Sequence, residues 1–142
     1  MAAKPSLALK RRFKAPPEKV YEAWTVPEKM IQWWGASHSA SRTAEADVRV
    51  GGRFHVGFRG NKGDQHDVGG IYREVVPGEK LVFTWAWRTT PERESQVTVH
   101  LKADGDSTIL TLTHEQFFDE KARDDHRRGW TLALDNLEKV FP

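Results

Sequence analysis

The sequence predicts an α+β fold: a curved antiparallel sheet of about seven strands around a long carboxy-terminal helix, with two short helices between the first two strands. Three observations carry this. Six segments between residues 41 and 114 repeat apolar side chains at every second position, the period of a strand with one buried face. The stretch 119–141 instead spaces Trp130, Leu134, Leu137 and Phe141 along one helical face. Between the first strand and those six segments, Pro16, Pro17 and Pro27 punctuate a short stretch of helical spacing.

Ser6 to Lys14 alternates Leu7, Leu9 and Phe13 with polar and basic residues, and reads as a strand with one wet face. Pro16 and Pro17 suit a first helical turn, where no hydrogen bond is lost. Val20 and Trp24, then Met30, Ile31 and Trp34, suggest two helices broken near Pro27, the second ended by Gly35. From Ser41, Ala44, Ala46 and Val48 share a face, as do Phe54, Val56 and Phe58, with Gly51-Gly52 as the turn of a hairpin. Val68–Val76, Lys80–Arg88, Ser95–Lys102 and Thr108–His114 add four strands, separated by Pro77-Gly78, a loop around Pro91, and Asp104-Gly105-Asp106. The long helix is the only segment large enough to cover the apolar face of such a sheet. With no repeat or long linker, residues 1–142 read as one domain.

The balance of 22 Lys and Arg against 20 Asp and Glu is spread along the chain, too weak and too even for a nucleic-acid footprint. Lys10-Arg11-Arg12 with Lys14 is interleaved with apolar residues and reads as an exposed strand face. Without cysteine there is no disulfide, thiolate nucleophile or Cys-based metal site. The start of the chain lacks a signal-peptide stretch, and no segment is apolar enough to span a membrane, so a cytoplasmic protein is expected. His38, His55, His66, His100 and His126 fall on separate elements without metal-ligand spacing. His66-Asp67 after Asp64 comes nearest, but Gly60, Gly63, Gly69 and Gly70 mark an irregular region. No Gly-x-Ser-x-Gly elbow, Rossmann spacing or P-loop is present, and no cofactor is expected.

The aromatic residues carry the functional signal. Trp33-Trp34-Gly35, Gly51-Gly52-Arg53-Phe54 and Gly129-Trp130 set large rings beside glycines, and indoles are awkward to pack and demand a partner for the ring N–H. A hollow between sheet and helix is therefore expected. Alternation turns Phe54, Val56 and Phe58, then Leu81, Phe83, Trp85 and Trp87, then Val97, Val99 and Leu101, towards the helix, where Trp130 and Leu134 face them. A filled core would use the same pattern. His114 shares the face of Leu110 and Leu112; Tyr72 shares that of Val68 and Gly70, and Glu74 follows if the register is unbroken. With Trp33 and Trp34, these are the polar groups available to a guest.

Ala15-Pro16-Pro17-Glu18-Lys19-Val20-Tyr21-Glu22-Ala23-Trp24, Pro27 to Gly35, Asp47 to Phe54, Gly70 to Glu74, Leu81 to Trp85 and Gly129-Trp130 follow one another in an order that resembles a known family. They are similar to the bacterial proteins grouped with the activator of heat-shock-protein-90 ATPase, in the helix-grip START superfamily. The resemblance implies a helix-grip fold with a ligand-sized hollow. It leaves activity open, because that superfamily includes lipid and hormone binders, cyclases and co-chaperone domains. The first expectation is a non-catalytic protein enclosing a small apolar or amphipathic molecule, contacted by Trp33, Trp34, Phe54, Val56, Phe58, Tyr72, Glu74, Phe83, Trp85, Trp87, Val99, His114, Trp130 and Leu134. The alternatives are a cyclase-like or hydrolase-like enzyme moving a proton with His114 or Glu74, and a protein-interaction module. A chaperone partner is disfavoured, since the eukaryotic co-chaperone carries a further domain that this length does not hold. An edge strand could also pair two copies into a homodimer.

Overall fold

Alternation along Leu7–Phe13 becomes the edge strand β1 of the computed structural model, which describes residues 4–34, 42–59 and 65–142. Gly35, His38, Ser41, Gly60, Gly63 and Asp64, which enter the expectations above, lie outside the described residues. Two short helices follow, α1 (Pro17–Thr25) and α2 (Pro27–Met30), each opening on a proline whose missing N–H costs nothing there. The remaining strands are β2 (Arg42–Ala46), β3 (Arg53–Arg59), β4 (Gln65–Val76), β5 (Lys80–Trp87), β6 (Ser95–Asp104) and β7 (Ser107–Glu115). The closing helix α3 spans Glu120–Val140, and its first turn is capped by Asp119, whose carboxylate accepts from Ala122 N–H at 2.8 Å.

All seven strands pair antiparallel in the order β1-β7-β6-β5-β4-β3-β2, which leaves β1 and β2 as the edges. The sheet curves around α3 in a helix-grip fold. Arg11 of β1 reaches Asp135 and Glu138 of α3 at 2.7 and 2.9 Å, tying the carboxy-terminal half of the helix to the sheet edge. Arg12 pairs with Asp104 at 3.0 Å, so the amino-terminal basic run has internal partners at two positions. Among the described residues, no helix is long and apolar enough to cross a membrane.

The inner face follows the alternation: Phe54, Val56, Leu81, Phe83, Trp85, Val97, Val99, Leu101, Leu110 and Leu112 are buried against Trp130, Leu134 and Leu137 of α3. The alternation fails at two places in β4 and β5. Thr84 lies on the other face yet is buried, because its Oγ1 accepts from Ile71 N–H at 2.8 Å. Gly70 passes so close that an added Cβ would sit 1.8 Å from the Thr84 carbonyl oxygen, a position only glycine can occupy. The register then shifts between Tyr72 and Glu74, a bulge that bends β4 and changes which face the following residues present.

Candidate functional site

Five of the six tryptophans meet at the centre of the space between sheet and helix. Trp24 lies 4.7 Å from Trp33 and 5.8 Å from Trp130, Trp34 lies 5.8 Å from Trp85, and Trp85 lies 5.0 Å from Trp130, measured between ring centroids. These are stacked and tilted contacts that fill space well. The centre is therefore solid. The open volume lies beside it, as a cleft of about 420 Å³ between α3 and strands β3 and β5.

Trp34, Phe58, Trp85, Trp87 and Trp130 wall this cleft, and Asp125, His126, Gly129, Leu132 and Ala133 form its helix side. Gly129 stands in the middle of a 21-residue helix, where glycine costs roughly 0.5–1 kcal/mol relative to alanine. Beyond its chain neighbours and its own helix backbone, no atom lies within 4 Å of the position its Cβ would take, so close packing does not demand a glycine. What it does is leave the helix side of the cleft open.

The remaining site candidates separate by depth. Trp33 is fully buried and donates its indole N–H to the Ala23 carbonyl at 2.9 Å. Phe54, Val56, Phe83, Val99 and Leu134 belong to the core, as does Tyr72, which contacts Phe54 and Phe83 and whose phenol is pushed up by burial. Glu74 is exposed beyond the register shift, 3.3 Å from Lys80. It stands apart from the cleft.

His114 is completely buried, and both of its ring nitrogens are engaged. An indole N–H can only donate, so Trp130 Nε1–H, 2.9 Å away, fixes His114 Nδ1 as the acceptor and puts the proton of the neutral ring on Nε2. That Nε2–H donates to Ser95 Oγ at 2.7 Å, whose hydroxyl in turn donates to the Trp85 carbonyl at 3.3 Å. Burial pulls the imidazole down to about 2, with His126 nearby adding to the effect. Although a serine beside a histidine suggests nucleophilic catalysis, this nitrogen already carries its proton and cannot take one from the hydroxyl.

His126 is the functional candidate that sequence reasoning missed. Its Nδ1–H donates to the Ala122 carbonyl one turn earlier at 2.7 Å, and its Nε2 accepts from Trp87 Nε1–H at 2.8 Å and, at longer range, from Trp85 Nε1–H at 3.3 Å. Burial lowers its pKa, partly offset by the Ala122 carbonyl and by Asp125. Its spacing was the available signal: it precedes Trp130 by four residues, on the same helix face. Asp125, held below the usual carboxylate range by Lys121, is paired with Lys121 and Arg128 at the mouth. Trp34 makes no hydrogen bond through its indole N–H with any described residue, which leaves a donor for a guest. Among the described residues no three His, Asp or Glu side chains gather as a metal site would require. Aromatic walls, one free donor and titratable groups already engaged make an arrangement suited to holding a flat molecule.

A helix-grip sheet with an aromatic cleft under its long helix defines a class of fold that is consistent with ligand-binding or co-chaperone modules. The chain belongs to the family described as Activator of Hsp90 ATPase homolog 1-like protein, whose model matches residues 14–142. Solved structures agree. A protein from Chromobacterium violaceum is 26% identical, with 96% of each chain covered and a TM-score of 0.83. The AHSA1 protein from Silicibacter pomeroyi is also 26% identical, with 96% of each chain covered and a TM-score of 0.80. CalU16 from Micromonospora echinospora is 27% identical over 96% of this chain and 75% of its own, with a TM-score of 0.74. No curated protein sequence matches the chain.

Proposed function

We propose that this protein binds a small, flat, largely apolar or amphipathic molecule in the cleft between α3 and strands β3 and β5, without transforming it. The observation that carries this is the pairing of five aromatic walls with a helix-interior glycine that keeps about 420 Å³ open at a cost to helix stability. Burying about ten methylene equivalents releases ~8 kcal/mol. Association costs an estimated ~4–15 kcal/mol, so useful affinity needs rigid walls and a placed polar contact. The packed indoles and the Trp34 N–H supply these.

An enzymatic role through His114 or Glu74 has less support, because the first has no lone pair to offer and the second faces away from the cleft. A co-chaperone role rests on the family description alone. The test is a thermal-shift screen of fused-ring aromatics, flavonoids and fatty acids. Planar aromatics that saturate the cleft should raise the unfolding temperature by roughly 5 °C or more. A screen in which no class stabilises the protein would refute the proposal.

A further inference from the structure

A second cleft of about 200 Å³ adjoins the first, lined on its own side by Thr90, Arg93, Phe117, Phe118 and Lys121. Trp85, Trp87, Asp125 and His126 line both. His126 thus stands, with Trp85, Trp87 and Asp125, on the boundary between the two clefts. It is braced by Phe117 and His114, with ring centroids 5.0 and 5.1 Å away, and tied to β5 through the Trp87 N–H.

We propose that His126 sets the length of the molecule the groove accepts, closing the passage between the chambers while its Nε2 bonds Trp87 and opening it when that bond is lost. The proposal rests on the binding role inferred above. A neutral hydrogen bond of this kind contributes on the order of 1 kcal/mol net, so a ligand or a proton can break it. His126 is part-buried, unlike His114, and lines both clefts, so its ring borders open volume into which it can turn. Once it leaves, the Trp87 and Trp85 N–H groups, which both pointed at one atom, need another acceptor. The matching ligand is an elongated conjugated molecule carrying a carbonyl or hydroxyl oxygen where the chambers meet.

Protonation acts in the same direction. An imidazolium donates from both nitrogens, so Nε2 would face two indole N–H groups without a lone pair to offer. Burial lowers the His126 pKa from 6.5, so the passage is shut at neutral pH and opens in acid. The charged or titratable groups around the ring are His114 from β7, Asp125 on α3 itself, and Asp119, Lys121 and Arg93 along the second chamber, while β5 presents only its two indoles.

The experiment measures binding of three probes at about pH 8 and about pH 5: compact 2-naphthol, elongated chalcone with its central carbonyl, and trans-stilbene, which has chalcone's length without the oxygen. At the higher pH, His126→Ala should bind chalcone about tenfold or more tighter than the wild type, with the ratio of chalcone to 2-naphthol affinity rising and stilbene trailing chalcone. In acid the wild type should gain chalcone affinity, His126→Ala should show no pH response, and His126→Gln, which keeps an acceptor that does not titrate, should stay closed. Equal chalcone affinity in wild type and His126→Ala, or a pH response that persists in His126→Ala, overturns the partition while 2-naphthol binding leaves the cleft itself standing. Failure of all three probes on every variant removes the binding role and the partition together. Should His126→Ala not fold, the wild-type Trp87 indole N–H resonance decides. It should move over the same pH range as chalcone affinity, and a stationary resonance beside rising affinity overturns the proposal.

Discussion

Replacing His114 with alanine is expected to lower the unfolding free energy by about 3–5 kcal/mol. The change deletes a fully buried ring from the core, orphans the Trp130 N–H and takes from the Ser95 oxygen the N–H it accepts, while the Ser95 hydroxyl keeps its bond to the Trp85 carbonyl. A buried donor without an acceptor costs about 1–3 kcal/mol, and the cavity adds to it. The same residue makes the fold sensitive to acid. Its folded-state pKa is depressed from 6.5 to about 2, so below pH 6.5 the unfolded chain takes up a proton that the folded one refuses. The contribution is fully present above 6.5 and falls as the pH drops, by about 1.4 kcal/mol per unit. Urea titrations between about pH 7 and pH 5, above the range where most carboxylates protonate, read the effect together with that of His126. His114→Gln, which offers both an acceptor and a donor, should flatten the slope relative to the wild type. His126 acts with the same sign and leaves a residual slope. An alanine variant within about 1 kcal/mol of the wild type would show that the network does not hold the core.

Filling the cleft from the helix side should separate stability from binding. Gly129→Ala is expected to stabilise the protein by roughly 0.5–1 kcal/mol, the ordinary gain from removing a helix-interior glycine where space allows. Gly129→Leu should fold at least as well as the wild type and bind cleft ligands about tenfold or more weakly, because its side chain occupies the space that Trp34, Trp87 and Trp130 enclose. Stability and affinity are expected to move in opposite directions in Gly129→Leu, so calorimetry and binding on the same two variants are decisive. Wild-type affinity in Gly129→Leu would mean that ligands go elsewhere.

The architecture was legible because period-two alternation and helical spacing report directly on which face each element buries. Val97, Val99 and Leu101 are buried beneath α3 as their spacing requires, and the Asp119 start of α3 is an ordinary cap. The candidate site was only partly legible. Trp34, Phe58, Trp85, Trp87 and Trp130 line the cleft, whereas Trp33, Phe54, Val56, Phe83, Val99 and Leu134 are packed in the core, and alternation alone cannot tell a ring lining a void from one filling it. Glu74 left the inner face through a bulge between Tyr72 and Glu74, a shift in strand pairing that alternation within β4 does not reveal. His126 and Gly129 were within reach, since helical spacing from Trp130 and Ala133 puts them beside the rings of β5. Their roles emerged only when those rings had positions.

The most direct test of the account is a two-dimensional NMR titration of the six indole N–H resonances with 2-naphthol. Large shifts are expected at Trp34, Trp85, Trp87 and Trp130, which border the cleft, and small ones at Trp24 and Trp33, which lie behind it. Saturable binding that moves Trp24 and Trp33 while leaving Trp34 and Trp87 in place, or no saturable binding at all, would contradict it.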